Sequence, residues 1–361
     1  MRIALVHERF TEFTGSEAVV EQFCTIWPES TVYVPLAKPG VAPANMTVRS
    51  TQLDLLYFGG GYAHLLPLLP LAMRRLRIES VDAILASHHA FANQVVMSSD
   101  LPVLSYVHSP ARWMWDPQMR AREPGGAAGR LLLSTFSALE RRPDRAAAQR
   151  LTAIMANSSA VADRIERWWG RESTVVNPPV DVDFYTPDDA IPREEFFLFA
   201  GRLVPYKRPD LAIAAAERAG LPIVVAGEGR AIEECRAVAG PNTSFVGRVS
   251  DAELRDLYRR CKALLMPGEE DFGIVPVEAQ ACGAPVLALG TGGALDYVVD
   301  GVTGVLCKGG SDDQRVESLA SAMHDLSGGG FDSRTIRSEA ERFSPSHFRR
   351  RVWDFVQSAL S

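Results

Sequence analysis

A chain of 361 residues is longer than one hydrophobic core usually sustains, and its 47% hydrophobic content is ample for two. A net charge of -6 and a pI near 5.7 argue against a general nucleic-acid binder, whose surface would be broadly cationic. The five cysteines (Cys24, Cys235, Cys261, Cys282, Cys307) are odd in number and widely spaced, with no C-x-x-C or Cys/His grouping, so neither a disulfide framework nor a zinc site is expected. They read as reduced core cysteines of a cytosolic protein.

From the first residues, M-R-I-A-L-V-H-E reads as a strand, without the apolar core and small-residue cleavage site of a secretory signal. Further strand patterns follow at Thr31 to Val34, Ala83 to Ala86, Val103 to Val107 and Ala153 to Ala156, separated by helical patterns. The longest uncharged apolar stretch, Leu55 to Met73, is interrupted by Gly59, Gly60, Gly61, His64, Pro67 and Pro70, too often for a bilayer span. Prolines and lost periodicity from Pro178 to Pro192 predict a hinge. A second series begins beyond it, with strand patterns at Phe196 to Ala200, Ile223 to Ala226, Ser244 to Val246, Ala263 to Met266 and Val286 to Leu289. Strands alternating with helices imply parallel sheets with crossover helices, one sheet for each series. Gly328 to Gly330 reads as a loop, and Ser344 with Pro345 starts a closing helix.

Chemistry concentrates in the run E-D-F-G-I-V-P-V-E, where Glu270 and Glu278 flank seven residues after an apolar strand pattern. Gly273 and Pro276 place the turn and the helix start between them, so Glu270 belongs to a loop and Glu278 to the helix. The amides of Asp271 to Val275 then open the helix, a position suited to an anion. Carboxylates accept only, which suits sugar hydroxyls. Taken alone, the pair could equally be a helix-dipole complement and a solvated charge.

The longer run E-D-F-G-I-V-P-V-E-A-Q-A-C-G-A-P-V, with G-T-G-G-A-L-D-Y-V-V-D-G-V-T-G after it, resembles the hallmark segment of the retaining glycosyltransferases of family 4. So do G-R-L-V-P-Y-K-R-P-D-L, F-V-G-R-V-S-D-A-E-L and the early loop T-G-S-E-A-V-V, and the likeness spans essentially the whole chain. It implies a GT-B fold: two Rossmann-like doubly wound parallel-sheet domains facing an interdomain cleft. Residues 1–180 would bind acceptor and residues 193–343 the nucleotide-sugar donor, with the helix at 344–361 packed back on the first domain.

The resemblance also assigns roles. Arg202 and Lys207 match the basic pair that neutralises the donor diphosphate. Glu278 matches the carboxylate that holds the ribose. Glu270, with the amides of Asp271, Phe272, Gly273 and Ile274, matches the group that holds the donor sugar. Val246, Gly247 and Arg248 fall where the base is held. Gly15 falls where backbone approaches the ligand, although the family usually has two glycines there and this chain has Thr14 and Gly15. His108, ending V-L-S-Y-V-H, matches the histidine near the reacting sugar carbon, while His7 could be either site or core, and His88 and His89 read as loop residues. The segment H-S-P-A-R-W-M-W-D is similar to one in bacterial O-antigen and exopolysaccharide mannosyltransferases, which points to GDP-mannose as donor. Arg112, Trp113, Trp115 and Asp116 would shape an acceptor pocket, or the tryptophans would anchor a loop. Leu65 to Ile78, with Arg74, Arg75 and Arg77, could rest on an anionic membrane and admit a lipid-linked acceptor, or pack as an ordinary helix.

The implied reaction is transfer of a hexose to a glycan or lipid-linked hydroxyl with retention at the anomeric carbon, at the inner face of the cell membrane or in the cytoplasm. No D-x-D metal motif serves the diphosphate, so no metal cofactor is expected. A nucleotide-sugar 2-epimerase of the same architecture, a UDP-sugar donor and a non-catalytic sugar-nucleotide binder are the alternatives.

Overall fold

The computed structural model describes residues 1–57, 61–121, 126–326 and 330–361, and the chain divides into two compact units, Met1–Asn177 with Phe348–Ser361, and Pro178–His347. Gly59 and Gly60 of the interrupted apolar stretch, and Gly328 and Gly329 of the glycine run, lie outside the described residues.

In the first unit, β1 (Ile3–His7), β2 (Thr31–Val34), β3 (Thr47–Ser50), β4 (Ala83–His88), β5 (Val103–Val107), β6 (Ala153–Ala156) and β7 (Thr174–Val175) form one sheet in the order β3-β2-β1-β4-β5-β6-β7. Every pairing is parallel. Alternate residues feed cores on the two faces: Ala4, Val6, Ile84 and Ala86 enter one, and Ile3, Leu5, Ala83 and Leu85 the other. Burial on both faces explains why these strands read as continuous apolar runs rather than alternating ones. The strand order reverses between β1 and β4, and ligands of such sheets bind at the carboxyl ends beside that reversal.

The second unit repeats the plan. Its strands β8 (Phe197–Ala200), β9 (Ile223–Ala226), β10 (Thr243–Gly247), β11 (Leu264–Met266), β12 (Val286–Leu289) and β13 (Gly304–Cys307) lie in the order β10-β9-β8-β11-β12-β13, all parallel. Leu198, Ala200, Leu264 and Met266 face one core, and Phe197, Phe199 and Leu265 the other. Here the reversal falls between β8 and β11. Lys207 follows β8 and Glu270 follows β11, so the connectivity alone sets both beside it.

Three strands carry no clear sequence signal, and all border a sheet or lie next to solvent. β3 is a largely exposed T-V-R-S and β7 is two residues long, so neither makes an apolar run. β13 opens on Gly304, whose signal is that of a turn.

The two units divide between Asn177 and Pro178, at the start of the stretch expected to hold a hinge, and the residues after it pack in the second unit. Val180, Val182 and Tyr185 are buried in its core, Val180 N–H donates to Phe343 O at 2.9 Å, and Arg337 donates to the carbonyls of Val182 and Tyr185 at 2.7 and 2.8 Å. The closing helix Pro345–Leu360 buries Phe348, Val352 and Val356 in the first unit's core, where Phe348 packs on Phe23 and Tyr106. Each such side chain contributes roughly 1.5–3 kcal/mol of burial.

Within Leu65 to Ile78, Leu65, Leu69, Met73, Leu76 and Ile78 are buried, and Arg74 pairs with Glu140 at 2.5 Å. The apolar character of this stretch therefore serves chiefly the core, with Leu68 and Leu71 left partly exposed. Among the described residues, no helix is long and apolar enough to cross a membrane. All five cysteines are free and buried.

Candidate functional site

In the second unit, the loop after β11 is fixed by its own sequence. Phe272 is buried edge-on against Tyr297 at 5.9 Å and packs on Phe343 at 5.5 Å, which pins the middle of E-D-F-G. Gly273 caps the following helix, Ile274–Ala281, with φ of 107°, a conformation side chains with a Cβ rarely take. Glu270 thus lies in the loop and Glu278 is the fifth residue of the helix, with the amide-rich helix start between them.

Glu270 meets Lys207 directly: Nζ is 2.5 Å from Oε1, with only 12% and 14% of the two side chains exposed. Burial opposes the ammonium charge, but the Glu270 carboxylate outweighs it and holds Lys207 above its ordinary range. The pair is placed by Gly268, where a Cβ would stand 2.6 Å from Lys207 Cα and from Tyr206 O. Only a glycine lets the turn carrying Lys207 settle on this loop. Arg202 is exposed beside Tyr206. Val246 and Arg248 are exposed at the end of β10, with Gly247 between them accepting from Gly227 N–H at 2.7 Å.

Glu278 has a different environment from Glu270. Its Oε2 accepts the Tyr258 hydroxyl at 3.0 Å. Burial is the largest influence, and with the nearby acids Asp251 and Asp181 it pushes the carboxyl up to about 7 against the opposing pull of Tyr258 and Lys207. One carboxylate is therefore neutralised by a cation and the other by a proton it can exchange near neutrality.

In the first unit, the carboxyl ends of β1, β4 and β5 gather a polar cluster. His7 Nε2 is 3.1 Å from Glu17 Oε1, His7 Nδ1 is 3.1 Å from Ser87 Oγ, and Ser87 Oγ is 2.8 Å from His108 Nε2. Glu17 belongs to the helix Gly15–Ile26, where it closes a capping box with Thr14, accepting from Thr14 N–H at 2.9 Å and Thr14 Oγ1 at 2.6 Å. Burial resists its charge, yet His7 and Thr14 hold it well below the usual carboxylate range. His108 is pushed down to about 3 by burial and then by His7, so its ring is neutral. His7 packs edge-on to His89 at 6.0 Å, and His89 lies 6.3 Å from the His108 ring.

Beside this cluster, Glu8 Oε1 accepts from four consecutive amides, His89 at 3.2 Å, Ala90 at 2.9 Å, Phe91 at 2.7 Å and Ala92 at 2.8 Å. It holds the chain after β4 to the end of β1. His88 is buried rather than a loop residue: its Nδ1 accepts from Asn93 N–H at 3.2 Å, and burial holds its ring down at about 4.

The segment after His108 is anchored through its tryptophans. Trp113 stacks on Phe136 at 6.0 Å, and Trp115 stacks on Trp168 at 6.1 Å. Asp144 Oδ2 accepts from Trp115 Nε1 at 2.7 Å and Trp169 Nε1 at 2.8 Å. Burial raises Asp144 to about 7. Both tryptophan rings are thus engaged with the core, while Arg112 and Asp116 are half-buried at the two ends of the short helix Arg112–Trp115.

The structure brings Lys207 with Glu270 and sets Glu278 on the same helix-start segment; in the first unit it joins His108 to His7. Gly15 is the first residue of its helix, and the notable group there is Glu17. Glu17, Ser87, Glu8 and Tyr258 were not singled out from the sequence. Thr14 and Glu17 carry the T-x-x-E signature of a capping box, which could have marked Glu17; Ser87 and Tyr258 carry no local signal. Among the described residues, no group of three or more His, Cys, Asp or Glu side chains could hold a metal.

Two all-parallel units of this plan define the GT-B fold. It is similar across 99% of the chain to sucrose-phosphate synthase from Thermosynechococcus elongatus (TM-score 0.77, 15% identity, 99% of that chain). The Anabaena HepE protein in complex with UDP matches with a TM-score of 0.73 and 18% identity over 99% of this chain and 100% of that one. These likenesses concern the fold. Residues 15–184 match the family model Glycosyltransferase Family 4, and residues 184–340 match Glycosyl transferases group 1. Together the two matches run from residue 15 to residue 340, so both halves of the chain are similar to glycosyltransferases of these models. Among curated relatives, the D-inositol 3-phosphate glycosyltransferase of Kribbella flavida is 34% identical over 204 residues, 48% of this chain and 48% of that protein. That of Mycobacteroides abscessus is 35% identical over 194 residues, 47% of this chain and 43% of that protein. The chain spans about half the length of the curated relatives it matches.

Proposed function

We propose that the protein transfers a hexose from a nucleotide sugar to an acceptor hydroxyl with retention at the anomeric carbon. What carries this reading is the segment from Glu270 to Glu278, where a cation-paired carboxylate, a helix start and a proton-exchanging carboxylate follow one another within one turn and helix. The departing diphosphate needs positive charge placed in advance, and Lys207, Arg202 and the amides of Asp271 to Ile274 supply it. Glu270 accepts from the donor sugar's hydroxyls and Glu278 from the ribose. In the first unit, His108 is the group assigned to the donor sugar near its reacting carbon. A leaving-group oxygen takes the acceptor proton, so no protein base is required. No metal is assigned to the diphosphate, and turnover in EDTA equal to turnover in Mg²⁺ is expected; loss in EDTA restored by Mg²⁺ would overturn that assignment.

For the donor, H-S-P-A-R-W-M-W-D favours GDP-mannose and a cell-surface glycan or lipid-linked acceptor. A UDP-sugar is the second reading, because the HepE protein was solved with UDP, with UDP and glucose, and with UDP-glucose. The curated relatives' name adds an inositol phosphate to the acceptors worth testing. A thermal-shift and turnover panel of GDP-mannose, GDP-fucose, UDP-glucose and UDP-N-acetylglucosamine separates the donors. Stabilisation by GDP and not UDP supports mannose; the reverse overturns it. Product formed from UDP-N-acetylglucosamine without any acceptor would instead identify an epimerase.

A further inference from the structure

Ser87 stands between two imidazoles, with Oγ 3.1 Å from His7 Nδ1 and 2.8 Å from His108 Nε2. A hydroxyl carries one proton, so it donates to one ring and accepts from the other. The far side of His7 is fixed, because the ionised Glu17 carboxylate accepts only and its partner, His7 Nε2 at 3.1 Å, must be N–H. Two arrangements satisfy all three contacts. If His7 is neutral, its bare Nδ1 accepts the Ser87 proton, Ser87 Oγ accepts from His108 Nε2–H, and the neutral His108 ring presents a bare Nδ1. If His7 is charged, Nδ1–H donates to Ser87, the hydroxyl turns to His108 Nε2, and the proton of His108 resides on Nδ1. His108 Nδ1 has no hydrogen-bond partner among the described residues and is not among the buried orphan atoms, so it is the ring atom left for a ligand.

We propose that Ser87 makes His7 and Glu17 positioning residues for His108: His7 Nδ1 and His108 Nε2 hold one proton between them, so the charge on His7 decides whether His108 Nδ1 accepts or donates. The groups around the relay that bear on that charge are Glu17 from the first helix, Glu8 and Arg9 after β1, and His88, His89 and His108 from the neighbouring strands. The consequence for transfer rests on the function proposed above, since a sugar hydroxyl meets His108 as donor in one state and as acceptor in the other. The proton count does not depend on that function.

The test is two-bond ¹H–¹⁵N correlation of the full chain labelled with ¹⁵N-histidine, with His7→Gln and His108→Gln used for assignment. One protonated nitrogen among His7 Nδ1 and His108 Nε2 is expected wherever the His108 ring is neutral, and finding both protonated or both bare there overturns the proposal. Ser87→Ala is expected to move the His108 nitrogen shifts and Ser87→Thr, which keeps the hydroxyl, to restore them; unchanged His108 shifts in Ser87→Ala overturn it as well. Loss of one hydrogen bond to the relay predicts a fall of about tenfold in kcat/KM for Ser87→Ala, recovered in Ser87→Thr. If no donor is turned over by any form, the transferase reading fails while the nitrogen count still decides the relay.

Discussion

Between pH 8 and pH 6 the affinity for a nucleoside diphosphate is expected to fall about tenfold through Glu278 alone. Burial holds its carboxyl at about 7, and the one bond from Tyr258 at 3.0 Å does not offset this. Ribose hydroxyls that donate to the carboxylate need it ionised, whereas the protonated form turns one acceptor into a donor. A group titrating at about 7 is roughly nine-tenths ionised at pH 8 and one-tenth at pH 6, and apparent affinity scales with that fraction. The assay is calorimetric titration with GDP and with UDP at pH 6, 7 and 8. The terminal phosphate of the ligand itself titrates near pH 6, so Glu278→Gln serves as the reference, retaining only the ligand's contribution. Parallel pH profiles for the native protein and Glu278→Gln would refute the reasoning.

The same carboxyl links pH to stability. Its folded value of about 7 lies above the ordinary 4.5, so its stabilisation is complete below 4.5 and is lost as pH rises through 7. That amounts to roughly 3 kcal/mol, and Glu278→Gln is expected to raise the urea midpoint at pH 8 but not at pH 5; an equal shift at both would count against it. Glu270→Ala should impair transfer while nucleoside diphosphate affinity largely survives, and Glu278→Ala should lose that affinity; equal losses in a binding titration would contradict the division of labour. Lys207→Met should lower kcat by about 100- to 1000-fold with circular dichroism unchanged, as expected for losing a charge aimed at the leaving group. Gly268→Ala puts a Cβ 2.6 Å from Lys207 Cα, and should cost about 1–3 kcal/mol in denaturant unfolding together with activity. An alanine variant as stable and active as the native protein would show that the Lys207 turn is not held there.

Most strands were legible because a parallel strand covered on both faces must be apolar throughout, as I-A-L-V-H and V-L-A-L are. The strands that escaped notice are edge strands: T-V-R-S and T-V, where the ladder rather than burial holds the chain, and G-V-L-C, which opens on a glycine. The stretch Pro178 to Pro192 marks the boundary between the units at its start, but its own packing was not legible. Its prolines remove helix and strand periodicity, but Val180, Val182 and Tyr185 still find a core in the second unit. Local pattern reports regular structure and is silent on irregular chain that is nonetheless packed.

By itself the sequence determined the two α/β units and the helix start between Glu270 and Glu278, because each follows from short-range pattern and turn chemistry, while Arg202 and Lys207 were marked by the resemblance to family 4. Tertiary structure decided how those groups are paired and charged. It set Lys207 on Glu270 across 63 positions of sequence, put Tyr258 on Glu278, and linked Glu17, His7, Ser87 and His108 from one helix and three strand ends. Those pairings depend on strand order and on burial, and both are properties of the assembled sheet. A proton on Glu278 is therefore a consequence of the fold, although the residue that holds it is written in the chain.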